Sequence, residues 1–128
     1  MKKMFLLFSH KLTATQIEDA TKNFGIDEFV PLPEELQQIW SNVPPQLKSL
    51  KKHLKPLKKY LKKNLNSDDY VLIQGDFGAV YEMVNYVKKS NTVALYATTK
   101  REFTEKKIDD KIIKTSIFSH ILFREFKD

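Results

Sequence analysis

The sequence predicts an α/β domain: a Rossmann-like parallel sheet core with helices on both faces and a C-terminal antiparallel β-hairpin extension. Three observations carry this. Tyr70-Val71-Leu72-Ile73 is an apolar run without polar alternation, as expected of a strand buried on both faces. Gln74-Gly75-Asp76 then breaks the run, and Val80, Met83, Val84 and Val87 recur at helical spacing, giving a strand, a tight turn and a helix. Similar apolar runs at residues 3–8 and 92–97 are separated by amphipathic stretches, the alternation that builds a parallel sheet.

Taken in order, residues 3–8 form the first strand, and Ser9-His10-Lys11 ends it. Thr13 caps the next helix with Gln16 as capping-box partner, Ile17, Ala20 and Phe24 make its buried stripe, and Gly25 closes it in the left-handed conformation. Phe29-Val30 with Leu32 is a short strand near the sheet edge, because Pro31 has no N–H for a ladder. Pro33 opens a helix whose inward residues are Leu36, Ile39, Trp40 and Val43.

Pro44-Pro45 ends that helix. Leucines at 47, 50, 54, 57, 61 and 65 then mark a long amphipathic, lysine-rich helix over 46–64, with a kink or break expected ahead of Pro56. After the helix that follows Gly78, residues 92–97 are a buried strand ending in Thr98-Thr99-Lys100-Arg101. The tail reads as a hairpin, 103–108 and 111–118 around Asp109-Asp110, then a last strand at 121–126. A single domain over 1–128 results, with a parallel βα core at 1–101 and a β extension at 102–128.

Composition narrows the function classes. There is no cysteine, which excludes disulfides and thiolate metal sites and fits a reducing, cytoplasmic setting. The apolar run at the start is shorter than the about seven residues of a signal-peptide core, and nothing approaches the ~18 apolar residues of a membrane span. The net charge of +6 is concentrated: residues 44–65 hold eight lysines and no acid, while the rest carries 14 basic against 16 acidic residues. That segment is either a solvated helix face or a polyanion-binding surface.

If the first and third strands are neighbours, the chain reverses between them and opens a crevice at their carboxyl ends. Three segments would meet there: Ser9-His10-Lys11, Gln74-Gly75-Asp76-Phe77-Gly78 and Thr98-Thr99-Lys100-Arg101. Backbone N–H groups at a helix start form a seat for an anion, and Lys100 with Arg101 would neutralise a second phosphate. Plainer readings stand beside these. Gly75 and Gly78 can serve a tight turn, since G-x-G-x-x-G is absent; Asp76 can cap the helix, Thr98 and Thr99 can finish a strand, and His10 can be a surface residue. His10, His53 and His120 lie too far apart in sequence to suggest a metal site, and no nucleophile elbow or Walker loop occurs.

On these residues the chain resembles the small stand-alone CRISPR-associated proteins of type III systems. The resemblance is carried by Met4-Phe5-Leu6-Leu7-Phe8-Ser9-His10-Lys11-Leu12, by Leu32-Pro33-Glu34-Glu35-Leu36 with Ile39-Trp40-Ser41-Asn42, and by Ile117-Phe118. Its most specific parts are the stretch from Tyr70 to Tyr81 and Tyr96-Ala97-Thr98-Thr99-Lys100-Arg101. Such proteins are similar to CARF (CRISPR-associated Rossmann fold) sensors and ring nucleases. The resemblance implies a homodimer that binds cyclic oligoadenylate, with cyclic tetra-adenylate the expected ring, and opens it without cofactor, metal, membrane or stable protein partner. Ring opening would use a ribose 2′-hydroxyl. Lys100, Arg101 and the amides of Gly75 to Gly78 would stabilise the phosphate, Ser9 and His10 would orient the ribose or departing oxygen, and Gln74 and Thr98 would position the ring. Lys11, Asp76, Phe77 and Thr99 complete the expected binding set, and loss of Lys100 or Arg101 would slow cleavage severely. Two other readings remain open: a binder that does not cleave, and a general RNA- or DNA-binding module that uses the lysine-rich helix.

Overall fold

Alternating apolar runs and amphipathic stretches fold as βα units in the computed structural model, which describes residues 1–127. The order is β1 (Lys3–Leu7), α1 (Ala14–Phe24), β2 (Glu28–Pro31), α2 (Glu34–Ser41), α3 (Lys51–Asn64), β3 (Tyr70–Ile73), α4 (Phe77–Lys89), β4 (Val93–Ile108) and β5 (Lys111–Glu125). The sheet runs β2-β1-β3-β4-β5. All neighbours are parallel except β4 and β5, which are antiparallel. This is the predicted architecture.

Side chains alternate across the short strands and divide the core in two. Phe5, Leu7, Val71, Ile73 and Ala94 face Trp40, Leu54, Leu57, Leu61, Met83 and Val87 on one side. Met4, Leu72, Leu95 and Phe123 meet Ala20 and Ile26 on the other. Helices α2, α3 and α4 therefore share one face, and α1 covers the opposite one. Because β2 and β3 flank β1, the connections depart to opposite sides and leave a crevice at the carboxyl ends of β1 and β3.

Local signals account for the element boundaries. The Thr13 hydroxyl accepts the Gln16 N–H at 3.2 Å while the Gln16 side chain accepts the Thr13 N–H at 3.0 Å, completing the capping box. Gly25 takes φ 66°, where a side chain is strained. The capping box also corrects the expected stripe of α1, since it turns Gln16 inward and leaves Ile17 42% exposed.

Helix α3 starts at Lys51 rather than 46, and Leu47 lies 42% exposed in the segment before it. No break occurs at Pro56. A proline inside a helix costs about 3 kcal/mol, whereas each fully buried leucine contributes roughly 2 kcal/mol. Leu54, Leu57 and Leu61 are all fully buried against the sheet, so tertiary packing outweighs the local penalty.

The larger correction concerns β4. It does not end before Thr98 but continues to Ile108, taking in the first limb of the expected hairpin, and the second limb and the expected last strand are one continuous β5. Pairing runs from Leu95 opposite Glu125 to Ile108 opposite Lys111, with one irregularity beside Thr98 where Ile121 is the extra residue. The Thr98 hydroxyl fills that gap, accepting the Leu122 N–H at 3.2 Å and donating to the Leu122 carbonyl at 3.1 Å. The turn falls at Asp109-Asp110 as expected, with Asp109 at φ 49°. Since β3 ends at Ile73, the rest of β4 and β5 projects beyond the sheet as a two-stranded arm, and every residue from 99 to 119 is exposed. No helix is long and apolar enough to cross a membrane among the described residues.

Candidate functional site

The crevice at the carboxyl ends of β1 and β3 is shaped by Trp40. Its ring is buried beneath the turn after β3, and its Nε1–H donates to the Gln74 carbonyl at 3.0 Å. A β-carbon on Gly75 would stand 3.1 Å from the indole, so any larger residue must push the ring or the turn aside by a few tenths of an ångström. The Gln74 N–H bonds the Leu7 carbonyl at 3.0 Å, and its side-chain oxygen accepts the Ala97 N–H at 2.9 Å. Gln74 thus ties the ends of β1, β3 and β4 together, and its side-chain oxygen, expected to position a ligand, serves the scaffold.

Ser9 and His10 sit opposite this turn. The hydroxyl of Ser9 lies 2.9 Å from that of Ser41. The Gln37 amide donates to the Ser41 hydroxyl at 3.0 Å and to the Phe8 carbonyl at 3.1 Å, fixing the loop after β1 onto α2. His10 meets the Phe8 ring edge-on at 5.5 Å between centroids. Phe8, Ser9 and His10 with Gln74 and Gly75 enclose a cavity of about 320 Å³. Phe8, Ser9 and His10 also line an adjoining cavity of about 410 Å³, with Leu12, Phe29 and Gln37 among its walls and Lys11 at its rim. Mixed apolar walls with a few convergent polar groups suit a small organic ligand.

Two parts of the expected constellation lie differently. At the start of α4, the Asp76 carboxylate accepts the Ala79 N–H at 3.0 Å. Asp76 is the helix cap, and its negative charge occupies a donor that a phosphate would use. Phe77, the first residue of α4, is 95% exposed rather than folded over the crevice. Gly78 is packed beside Leu50, whose Cδ1 would lie 3.3 Å from an added β-carbon.

Thr98, Thr99, Lys100 and Arg101 belong to the arm. Lys100 lies three residues beyond Ala97, roughly 10 Å farther along the strand. Alternation then separates the two cations. Arg101 shares a face with Phe103 and Phe118, its guanidinium 4.5 Å and 5.3 Å from their ring centroids. Lys100 points to the other face, 3.5 Å from Glu102. Ser9, His10, Gln74 and Gly75 are therefore brought together, with Lys11 at the rim of the adjoining cavity, whereas the Thr98 to Arg101 group is not among the lining residues.

Sequence reasoning missed Gln37, Ser41 and the role of Trp40. The polar face of α2 holds the first two, and the Ile39-Trp40-Ser41-Asn42 stretch was the available signal. No group of three potential metal ligands gathers among the described residues.

Over this fold and crevice, residues 2–124 match the sequence profile described as "Uncharacterized protein MJ1673 family". The chain belongs to that family. A relative described as "Uncharacterized protein MJ1673", from Methanocaldococcus jannaschii, is 52% identical over 126 residues, covering 98% of each chain. No solved structure matches. Membership in the MJ1673 family thus spans the crevice and nearly all of the arm.

Proposed function

We propose that this protein is a metal-independent ring nuclease for cyclic oligoadenylate, of the CARF-like kind that accompanies type III CRISPR defence, acting in the cytoplasm as a homodimer. The observation that supports this reading is the convergence of Ser9 and His10 with Gln74 and Gly75 around one cavity at the reversal point of the sheet. The Phe8 ring and the apolar walls of the adjoining cavity suit a base, and the Ser9 hydroxyl and His10 imidazole suit a ribose and its phosphate.

In the proposed reaction a ribose 2′-oxygen loses its proton and attacks the adjacent phosphorus. The bond to the 5′-oxygen breaks, that oxygen takes up a proton, and the ring becomes a linear chain with a 2′,3′-cyclic phosphate. Alignment of the attacking and leaving oxygens supplies most of the acceleration, and His10 is positioned to carry the proton. Cyclic tetra-adenylate is the ligand of choice for the test.

The experiment incubates pure protein with cyclic tetra-adenylate in the presence of a chelator and resolves the products. Linear products lost on Ser9→Ala and His10→Ala, with the fold intact, support the reading. An unchanged ring that nevertheless binds tightly would make the protein a sponge or sensor, a reading favoured by Asp76 standing where a phosphate donor was expected. Binding of linear RNA or DNA in place of the ring, weakened by salt and by replacing the exposed Lys55, Lys59 and Lys62, would move the function to α3.

A further inference from the structure

We propose that the β4–β5 arm clasps a second copy of this chain, laying its aliphatic face on the partner's α4. A two-stranded ribbon is marginally stable alone in water. This one nevertheless displays large apolar side chains along its length, including Ile113 and Ile117, each about half exposed, and Phe118, 64% exposed. Cross-strand pairing sorts them: Arg101, Phe103 and Phe118 share one face, while Lys100, Ile113, Ile117 and Leu122 share the other. Tyr96 and Phe126 lie on the latter side and place that face on the side of the sheet covered by α2, α3 and α4.

On that same side α4 carries the complementary shape. Phe77 and Tyr81 are 95% and 70% exposed, and they border a groove of about 230 Å³ floored by Val80, Val84 and Phe126. A protruding aliphatic face and an apolar groove therefore occur on one side of one chain. A second copy satisfies both at once, because in a two-fold arrangement each arm meets the partner's groove and the contact is made twice. From their fractional exposures, the apolar side chains of the two surfaces offer roughly several hundred Å² per protomer, a large part of the about 800 Å² per partner in a standard interface. The inference concerns assembly and does not rest on ring cleavage.

The absence of cysteine makes the test direct. Ile117→Cys is placed in one tagged copy and Phe77→Cys in a differently tagged copy, and the mixture is gently oxidised. A disulfide-linked heterodimer is expected, since neither variant can form that bond within one chain. In sedimentation, the unmodified protein is expected to be a dimer, and Ile117→Asp and Phe77→Asp are each expected to weaken it by about tenfold or more with unchanged circular dichroism. A monomer at every concentration reached would overturn the proposal. So would a dimer that tolerates both substitutions and yields no cross-linked pair.

Discussion

The indole of Trp40 lies 3.1 Å from where Gly75 would carry a β-carbon, and the same ring donates to the Gln74 carbonyl at 3.0 Å. The ring is held rigidly by burial, so a methyl group at Gly75 must displace either the indole or the turn. Gly75→Ala is expected to destabilise the fold by about 1–3 kcal/mol, the usual cost of overpacking, and to distort the cavity shared with Ser9 and His10. Trp40→Phe is expected to cost a similar amount by leaving the Gln74 carbonyl unpaired. Urea titration of both variants checks the first expectation, and a Gly75→Ala protein as stable as the parent would refute it.

His120 and Asp19 anchor the base of the arm to α1. Their Nε2 and Oδ2 atoms are 2.7 Å apart, with side chains only 3% and 14% exposed, and the His120 ring also leans on Phe123. Removing Asp19 leaves the buried imidazole without this hydrogen-bond partner, at a cost of about 1–3 kcal/mol. Asp19→Ala is therefore expected to loosen the arm first. Hydrogen exchange should rise across residues 98–122 while β1 and β3 stay protected, and a uniform rise throughout the sheet would argue against a local anchor.

The core was legible because its signals are local. The run from Tyr70 to Ile73, the box of Thr13 with Gln16, and Gly25 each act within a few residues, and each appears where periodicity and capping chemistry put it. What could not be read depended on partners distant in sequence. The polar Thr98-Thr99-Lys100-Arg101 group looks like a strand end, yet β5 supplies a ladder that carries β4 through it. Pro56 looks like a helix break, yet three buried leucines hold the helix together. At the site, Ser9, His10 and Gly75 were found from strand-end logic, whereas Ser41 and Gln37 became visible only when α2 was placed against the loop after β1.

The placement of Lys100 and Arg101 in the arm changes what their removal should do. Two adjacent cations in the sequence suggest severe losses. In the arm, Arg101 is engaged with Phe103 and Phe118 on the face toward α1, while Lys100 is on the face shared with the start of α4. Neither cation lines the cavity, so under the proposed activity Lys100→Ala and Arg101→Ala are each expected to slow ring opening by less than about tenfold, short of the about 10²-fold loss usual on removing one stabiliser of developing charge. Single-turnover rates with excess enzyme check this, and a loss of about 10²-fold or more for either variant would put that cation at the reacting phosphate.

Asp76 separates stability from binding. Its carboxylate accepts the Ala79 N–H at 3.0 Å, so it caps α4 and places a negative charge at the positive end of the helix. Replacing it with alanine removes the cap, at a cost of about 1 kcal/mol. The same change frees an amide donor and removes the charge that repels a phosphodiester from the mouth of the crevice. Asp76→Ala is thus expected to lower the unfolding midpoint while raising affinity for cyclic tetra-adenylate several-fold, with the opposing signs read by denaturant titration and calorimetry on the same sample. If affinity falls along with stability, Asp76 contacts the ligand directly, and the α4 terminus returns to the binding set that the sequence first suggested.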